Sequence, residues 1–548
     1  MFLPDATVRV GLGLCFAGIL ACLLTGLSGA LPSKTETLWN VSAVPSMNRI
    51  APREMLPAHS SITLRGARAE YVSFQIVLTA GSRKIIGASL EPSDLRDERG
   101  HTIPRQSLRL FRERYIQVTQ STPDAGWGNR PLGNGWYPDA LIPLETRGKV
   151  PGKRAQFDVA AASNQPIWVD IHIPRQTPPG NYRGTVNVVA DERRVPISLS
   201  LRVWNFELPL KPSLLSSFGM HEPALTDRRV HELLLEHLVM PESVNPQDAT
   251  ELATQFGLNT TGLRFWSHFE KKDCSMDPAP RPEQIAAALQ LYPATLPLHL
   301  YSADEIDSCP QVFDTVREWA ATMHNVDSRI QNLVTVRPGP QLSSDGTGTG
   351  RSAVDIWALL PKMWEQDPEA VTKAQAAGQQ IWAYTALNQD TYSPKWEIDF
   401  APVNYRVLPG FLAQSLSVTG ILYWRVDLWT RTPFEDLRGY SIDGRFYPGE
   451  GMLIYPGTLV GSDFVIPSMR LKWIRQGVQD YEYVAILKHL GRDAWAMKRS
   501  LRVATNWHEW THDPLLLEEV RDKLGDEIDR LYSAAPAGAA QQAHANEL

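Results

Sequence analysis

The chain has 548 residues, more than a single hydrophobic core holds, so two or three domains are expected. Its 43% hydrophobic and 21% charged residues are ordinary for a soluble globular protein; the net charge of −6 and the lack of any long basic run speak against nucleic acid as a partner. Tryptophan, at 17, outnumbers tyrosine and phenylalanine at 16 each. An indole offers a flat apolar face and one N–H donor, which suits the face of a sugar ring as well as ordinary packing.

In chain order, the first feature is an uncharged apolar stretch from Val10 to Ser33, preceded by Arg9 and carrying small residues at Ser28-Gly29-Ala30. Residues 1–33 read as a secretory signal or a retained membrane anchor, since residues 10–31 exceed the roughly 20 needed to span a bilayer. The remainder is then expected to be exported: periplasmic, extracellular or anchored with its bulk outside the cytoplasm. Cys15 and Cys22 fall in this leader, which leaves Cys274 and Cys309 to form one disulfide. No C-x-x-C pattern suggests a thiolate zinc site, and neither metal nor cofactor is expected.

Residues 34–209 show short alternating strands such as Tyr71 to Leu78, Ile167 to Ile173 and Val195 to Leu201, separated by turn signals such as Pro178-Pro179-Gly180-Asn181. This is the pattern of an antiparallel β-sandwich. After Pro209-Leu210-Lys211-Pro212, apolar runs alternate with helical stretches, which predicts a (β/α)8 barrel over residues 210–466. Seven strands are expected, at 214–220, 262–266, 296–303, 332–336, 354–358, 381–385 and 420–426, with an eighth hidden in 238–262 or 266–296. Residues 467–532 read as helical, opened by Ser468 and interrupted at Gly491, and residues 533–548 as a disordered tail.

Asp304-Glu305 directly follows the apolar run ending in Leu300-Tyr301. Two acids at a barrel strand's end can converge on the mouth, where crowding raises the pKa of one of them, as a general acid needs. The same pair could equally be an acidic loop or a helix cap. Trp382 and Tyr384 share one strand face, Asp355 and Trp357 another, and Tyr423-Trp424 ends a third with Asp427 just beyond. These are candidate substrate-binding residues, although the pattern alone favours core packing for the aromatics. His508-Glu509-Trp510-Thr511-His512 matches H-E-x-x-H, but Asp513-Pro514 follows at once and breaks the continuous helix that zinc chemistry there requires.

Several segments resemble glycoside hydrolase family 123, which overlaps the domain of unknown function numbered 4091. They are Tyr301-Ser302-Ala303-Asp304-Glu305, Val354 to Trp357, Ile381 to Tyr384, Gly420 to Trp424, Gly451 to Gly457 and, most specifically, Ser468 to Tyr483; Gly135 to Asp139 resembles the accompanying sandwich domain. The resemblance implies a retaining exo-β-N-acetylgalactosaminidase in which Asp304 positions the substrate's 2-acetamido group and Glu305 is the acid/base. Ile306 stands where the family often has proline. Two rival readings remain open. One is a hydrolase of the same fold acting on a sugar without the acetamido group, with Asp355 or Asp427 as nucleophile. The other is a non-catalytic, envelope-bound glycan-binding protein.

Overall fold

The computed structural model describes residues 39–124, 126, 128–144, 155–387 and 389–534, which form one compact unit. The leader at residues 1–33, with its possible anchor at 10–31, and the tail from residue 535 lie outside the described residues. The last helix, Pro514–Ala534, runs two residues into the span expected to be tail. No helix among the described residues is long and apolar enough to cross a membrane.

Two sheets form first. One orders Trp39–Pro45, Tyr71–Ala80, Asn164–His172, Leu108–Val118 and Gly135–Pro143, all antiparallel. The other runs Ser61–Arg68, Arg193–Glu207, Gly180–Ala190, Ile85–Pro92 and Phe157–Val159. Alternation turns Val186 and Val188 of one strand, and Ile197, Leu199 and Leu201 of the next, onto Phe74, Ile76, Val169 and Ile171 of the facing sheet, in one shared core. The expectation of purely antiparallel pairing needs one correction: Ser61–Arg68 lies parallel to Arg193–Glu207.

The second half builds a parallel sheet of seven strands: Leu215–Phe218, Thr261–Gly262, Leu298–Ala303, Ile330–Val334, Ile356–Leu359, Gln380–Tyr384 and Gly420–Tyr423. The first pairs with the last, so the sheet curls to near-closure. The remaining gap is bridged by residues 240–242. Phe218 donates its N–H to Met240 O at 2.9 Å, Glu242 donates to Phe218 O at 2.9 Å, and Gly262 donates to Glu242 O at 2.8 Å. Pro241, at the centre, has no N–H to give, so this stave makes a single bridge rather than a ladder. Strand–helix alternation lapses once. Between Ile330–Val334 and Ile356–Leu359 lies only the short turn Pro340–Leu342, because Gly346, Gly348 and Gly350 all take positive φ in a loop.

Ser468 Oγ accepts the N–H of Leu471 at 3.1 Å and opens Met469–His489, a helix buried between the two sheets and the barrel. Its charged residues are buried because each finds a partner in the surrounding structure. Arg470 grips Asp139 at 3.0 Å, Lys472 and Arg475 share Asp170 at 2.7 and 2.9 Å, and Asp480 receives Arg406 at 2.7 Å. The segments carrying the family resemblance around Asp139 and Arg470 are thus two sides of one internal ion pair.

Candidate active site

Leu298–Ala303 ends immediately before Asp304-Glu305, which places both acids at the C-terminal end of a parallel strand, the end at which barrel enzymes build their sites. Asp304 Oδ1 lies 2.6 Å from the Tyr301 hydroxyl and 2.7 Å from the Thr335 hydroxyl, and those two oxygens also contact each other, so their two protons serve two of the three contacts at a time. Its Oδ2 accepts no hydrogen bond among the described residues. At Glu305 the backbone enters the left-handed region (φ 49°, ψ 46°), which breaks the strand's alternation and turns the second carboxyl away from the opposite face. Glu305 Oε1 accepts the Tyr384 hydroxyl at 2.9 Å, and Oε2 receives Lys271 Nζ at 3.1 Å. Tyr384 stands within electrostatic reach of both acids, which together with burial hold its hydroxyl protonated.

Each carboxyl has a distinct environment. Asp304 is raised above the usual aspartate value: much of its surface is open, but the protein packed around the carboxyl strips hydration, and Glu305 adds repulsion that the Tyr301 and Thr335 bonds do not cancel. Glu305 goes the other way. Burial pushes it up, but the bonds from Lys271 and Tyr384 and the nearby charge of Lys362 outweigh that and hold it below the usual glutamate value. The crowding expected to raise one acid therefore falls on Asp304. Lys271 rides on a turn closed by the Glu270–Ser275 bridge and fastened by the Cys274–Cys309 disulfide, whose Cα atoms lie 5.4 Å apart.

The other candidates divide by depth. Trp382 is wholly buried, edge-on to His299 at 5.8 Å, in space left by Gly420, where an added Cβ would come within 2.4 Å of the indole. The strands of His299 and Trp382 are not neighbours in the sheet, so this contact runs across the barrel interior, and Trp382 belongs to the core rather than the mouth. Tyr423 is also core, packed on Phe218 and Trp396 and accepting the N–H of Gly451 at 3.0 Å. Asp355 stands just before Ile356–Leu359, at the barrel's opposite end, held by His324 and Arg351 at 2.9 Å each. Asp427 lies beyond Gly420–Tyr423, buried, with Oδ1 on Arg425 and Oδ2 on the N–H of His221. Trp424, half-buried, donates to Glu450 at 2.5 Å and meets Tyr440 edge-on at 5.4 Å.

Several residues at the mouth were not marked by the sequence: Tyr301, Thr335, Lys271, Tyr440, which feels the charge of Glu305, and Trp266. Trp266 is 45% exposed and stands edge-on to Tyr301 at 5.6 Å, an open indole face beside the acid pair. Only its size and its place after a strand could have flagged it. His508 and His512 occupy the irregular segment before Pro514–Ala534; His508 pairs with Glu365 and stacks on Tyr392, while His512 lies against Trp510. They do not share a helix face, and no metal-ligating group occurs among the described residues.

Paired acids and open aromatics at the mouth of a nearly closed parallel barrel, joined to a two-sheet domain, define a glycoside hydrolase architecture. Two family profiles match the chain: glycoside hydrolase 123 N-terminal domain over residues 48–190, and glycoside hydrolase 123, catalytic domain, over 313–487. Together they span more than half of it, and the chain belongs to glycoside hydrolase family 123; it is a glycosidase. Asp304-Glu305 lies just upstream of the matched catalytic span. Among solved structures, a family 123 glycoside hydrolase from Clostridium perfringens, studied for glycolipid glycan hydrolysis, aligns with TM-score 0.65 and 14% identity over 91% of this chain and 98% of that one. β-Glucuronidases of Parabacteroides merdae (TM-score 0.25, 9% identity, 65% and 45% covered) and Bacteroides uniformis (0.28, 11%, 76% and 48%) align too weakly to support any argument. No curated protein sequence matches the chain.

Proposed function

We propose that this glycosidase is a retaining exo-β-N-acetylgalactosaminidase working by substrate-assisted catalysis. The observation that carries the reading is the Asp304 carboxyl: Oδ1 is pinned by two hydroxyls, and Oδ2 is left to meet substrate. Ordinary retaining glycosidases hold two carboxyls about 5–5.5 Å apart astride the scissile bond, which adjacent residues do with difficulty. When the sugar's own 2-acetamido oxygen attacks the anomeric carbon, no protein nucleophile is needed. Asp304 orients the acetamide N–H and stabilises the positive charge growing there. Glu305 protonates the leaving oxygen and then takes a proton from the attacking water. The alternative nucleophiles are poorly placed, Asp355 at the far end of the barrel and Asp427 with both oxygens engaged. Trp266 and Trp424 offer faces for the sugar. The disulfide supports an oxidising, exported location.

Chromogenic β-glycosides test this. Hydrolysis is expected for 2-acetamido sugars, with the galacto epimer preferred. Asp304→Asn should abolish it on every substrate, whereas Glu305→Gln should spare activated aryl glycosides, which need no proton at the leaving oxygen, and fail on alkyl or sugar aglycones. Equal cleavage of sugars lacking the acetamido group would overturn the reading.

A further inference from the structure

Lys271 is awkwardly placed for a simple acid/base site. Its ammonium sits on Glu305 Oε2, the carboxyl that must hold a proton when the glycosidic oxygen leaves. It is not a freely wandering surface lysine. The turn that carries it is closed by the Glu270–Ser275 bridge and tied by Cys274 to Cys309, four positions beyond Glu305 in the chain. The lysine side chain itself is 59% exposed, so it can swing to a group entering from solvent. Lys362 is a second exposed cation. It opens Pro361–Gln366 after the strand Ile356–Leu359, lies within electrostatic reach of Glu305, and makes no hydrogen bond or ion pair among the described residues. Arg337, by contrast, is engaged by Asp307 at 2.8 Å. The rim beside the acid thus presents two ammonium groups, Lys271 bonded to Glu305 and within electrostatic reach of Asp304, and Lys362 with no bonded carboxylate among the described residues.

We propose that the leaving-group side of this site takes a sugar bearing an anionic group, a carboxylate or sulfate, and that Lys271 transfers from Glu305 to that anion with Lys362 as its second contact. The proposal rests on the reading of Glu305 as the acid/base. An anionic leaving sugar then does two things at once. It gains charge-assisted hydrogen bonds, and it removes the cation that holds Glu305 ionised, so the acid takes up its proton when the right substrate is present. The other groups facing Glu305 are the Tyr384 hydroxyl, Asp304 and, farther off, Tyr440; Asp304 repels, while the bond from Tyr384 joins Lys271 and Lys362 in favouring the ionised form, and of these three the lysines are the ones an entering anion can draw away.

The test compares three matched substrates: a β-N-acetylgalactosaminide linked to glucuronic acid, the same disaccharide as its uncharged methyl ester, and one linked to a 6-sulfated hexose. At low ionic strength the wild-type protein is expected to favour the anions by about tenfold in kcat/KM over the ester, the worth of one charge-assisted bond. Lys271→Gln should reduce that preference to about twofold or less and shift the alkaline limb of the ester's pH profile upward, while Lys271→Arg should restore the preference. A preference confined to one of the two anions would identify the natural group as carboxylate or sulfate and support the proposal. Equal rates on acid, sulfate and ester, or an undiminished preference in Lys271→Gln, would overturn it. Failure to cleave even the ester, with Glu305→Gln indistinguishable from wild type on an aryl N-acetylgalactosaminide and on an alkyl one, would instead overturn the acid/base reading and this inference with it.

Discussion

Replacing Glu397 by Gln is expected to stabilise the protein selectively at alkaline pH. Glu397 and Glu450 are both buried. Glu450 accepts the indole N–H of Trp424, whereas Glu397 Oε1 has no partner among the described residues. Burial first, then mutual repulsion, lifts Glu397 to about 8; burial likewise lifts Glu450 to about 7. Because these folded-state values lie above the unfolded ones, the folded protein binds more protons between about pH 4.5 and 8, and stability falls as pH rises through that window. A rise of about 3.5 units at Glu397 corresponds to roughly 5 kcal/mol by pH 9, shared with its partner because the two titrate as a pair. Gln removes one charge and the repulsion, so the variant should gain about 3–5 kcal/mol at pH 9 relative to its difference from wild type at pH 5. At about 2.1 cal/mol/K per residue, a protein of this length melts about 3–4 °C higher for that gain. Thermal melts of both proteins across pH 5–9 measure it. Curves that stay parallel across the range would refute the reasoning, since no differential protonation would then be present.

The remaining predictions concern the frame around the site. Replacing both Cys274 and Cys309 by Ser should lower stability by about 3–4 kcal/mol on the chain-entropy model, read as a drop in Tm that reductant reproduces in the wild type. Asp170→Asn should strand Lys472 and Arg475 in the interior at a cost of about 3–5 kcal/mol, seen in denaturant melts. In the wild type, burial pushes Asp170 up but Arg475 and Lys472 hold it well below the usual value, so its contribution is complete above about pH 4 and disappears only as pH falls toward that depressed value; the variant's acid limb should lack that step.

The strands of the barrel could be read from the sequence because each is a short apolar run between turn signals, and all seven expected runs overlap an observed strand. The closing stave at 240–242 falls within 238–262, one of the two stretches expected to hide the eighth strand, but the sequence does not place it more closely. Three residues around a proline carry no period, and Pro241 can make only one bridge. Alternation likewise says which face of Ser61–Arg68 is buried but not which way its neighbour runs, so the parallel pairing with Arg193–Glu207 was invisible. The charged helix Met469–His489 posed the opposite problem. Arg470, Lys472, Arg475 and Asp480 look like a solvated face until Asp139, Asp170 and Arg406 arrive from distant strands and helices to neutralise them.

At the site, position along a strand mattered more than residue type. Trp382 and Tyr384 share a face, but two residues along a strand amount to about 6.6 Å, enough to separate the barrel core from its mouth. Asp355 was expected second in a strand at 354–358 that in fact begins at Ile356, so it precedes the strand and lies at the opposite end of the barrel from Glu305. The acid pair itself needed only adjacency and a preceding strand, both present in the sequence. Which of the two acids is raised was beyond it, because the answer is set by Lys271, 34 residues away from Glu305 and delivered by a disulfide-braced turn. Burial pushes Glu305 up as it does Asp304, and Lys271 is the first of the groups that pull it back down. If Glu305 is the acid/base proposed above, Lys271 is the group through which the charge of a bound sugar would act on its proton.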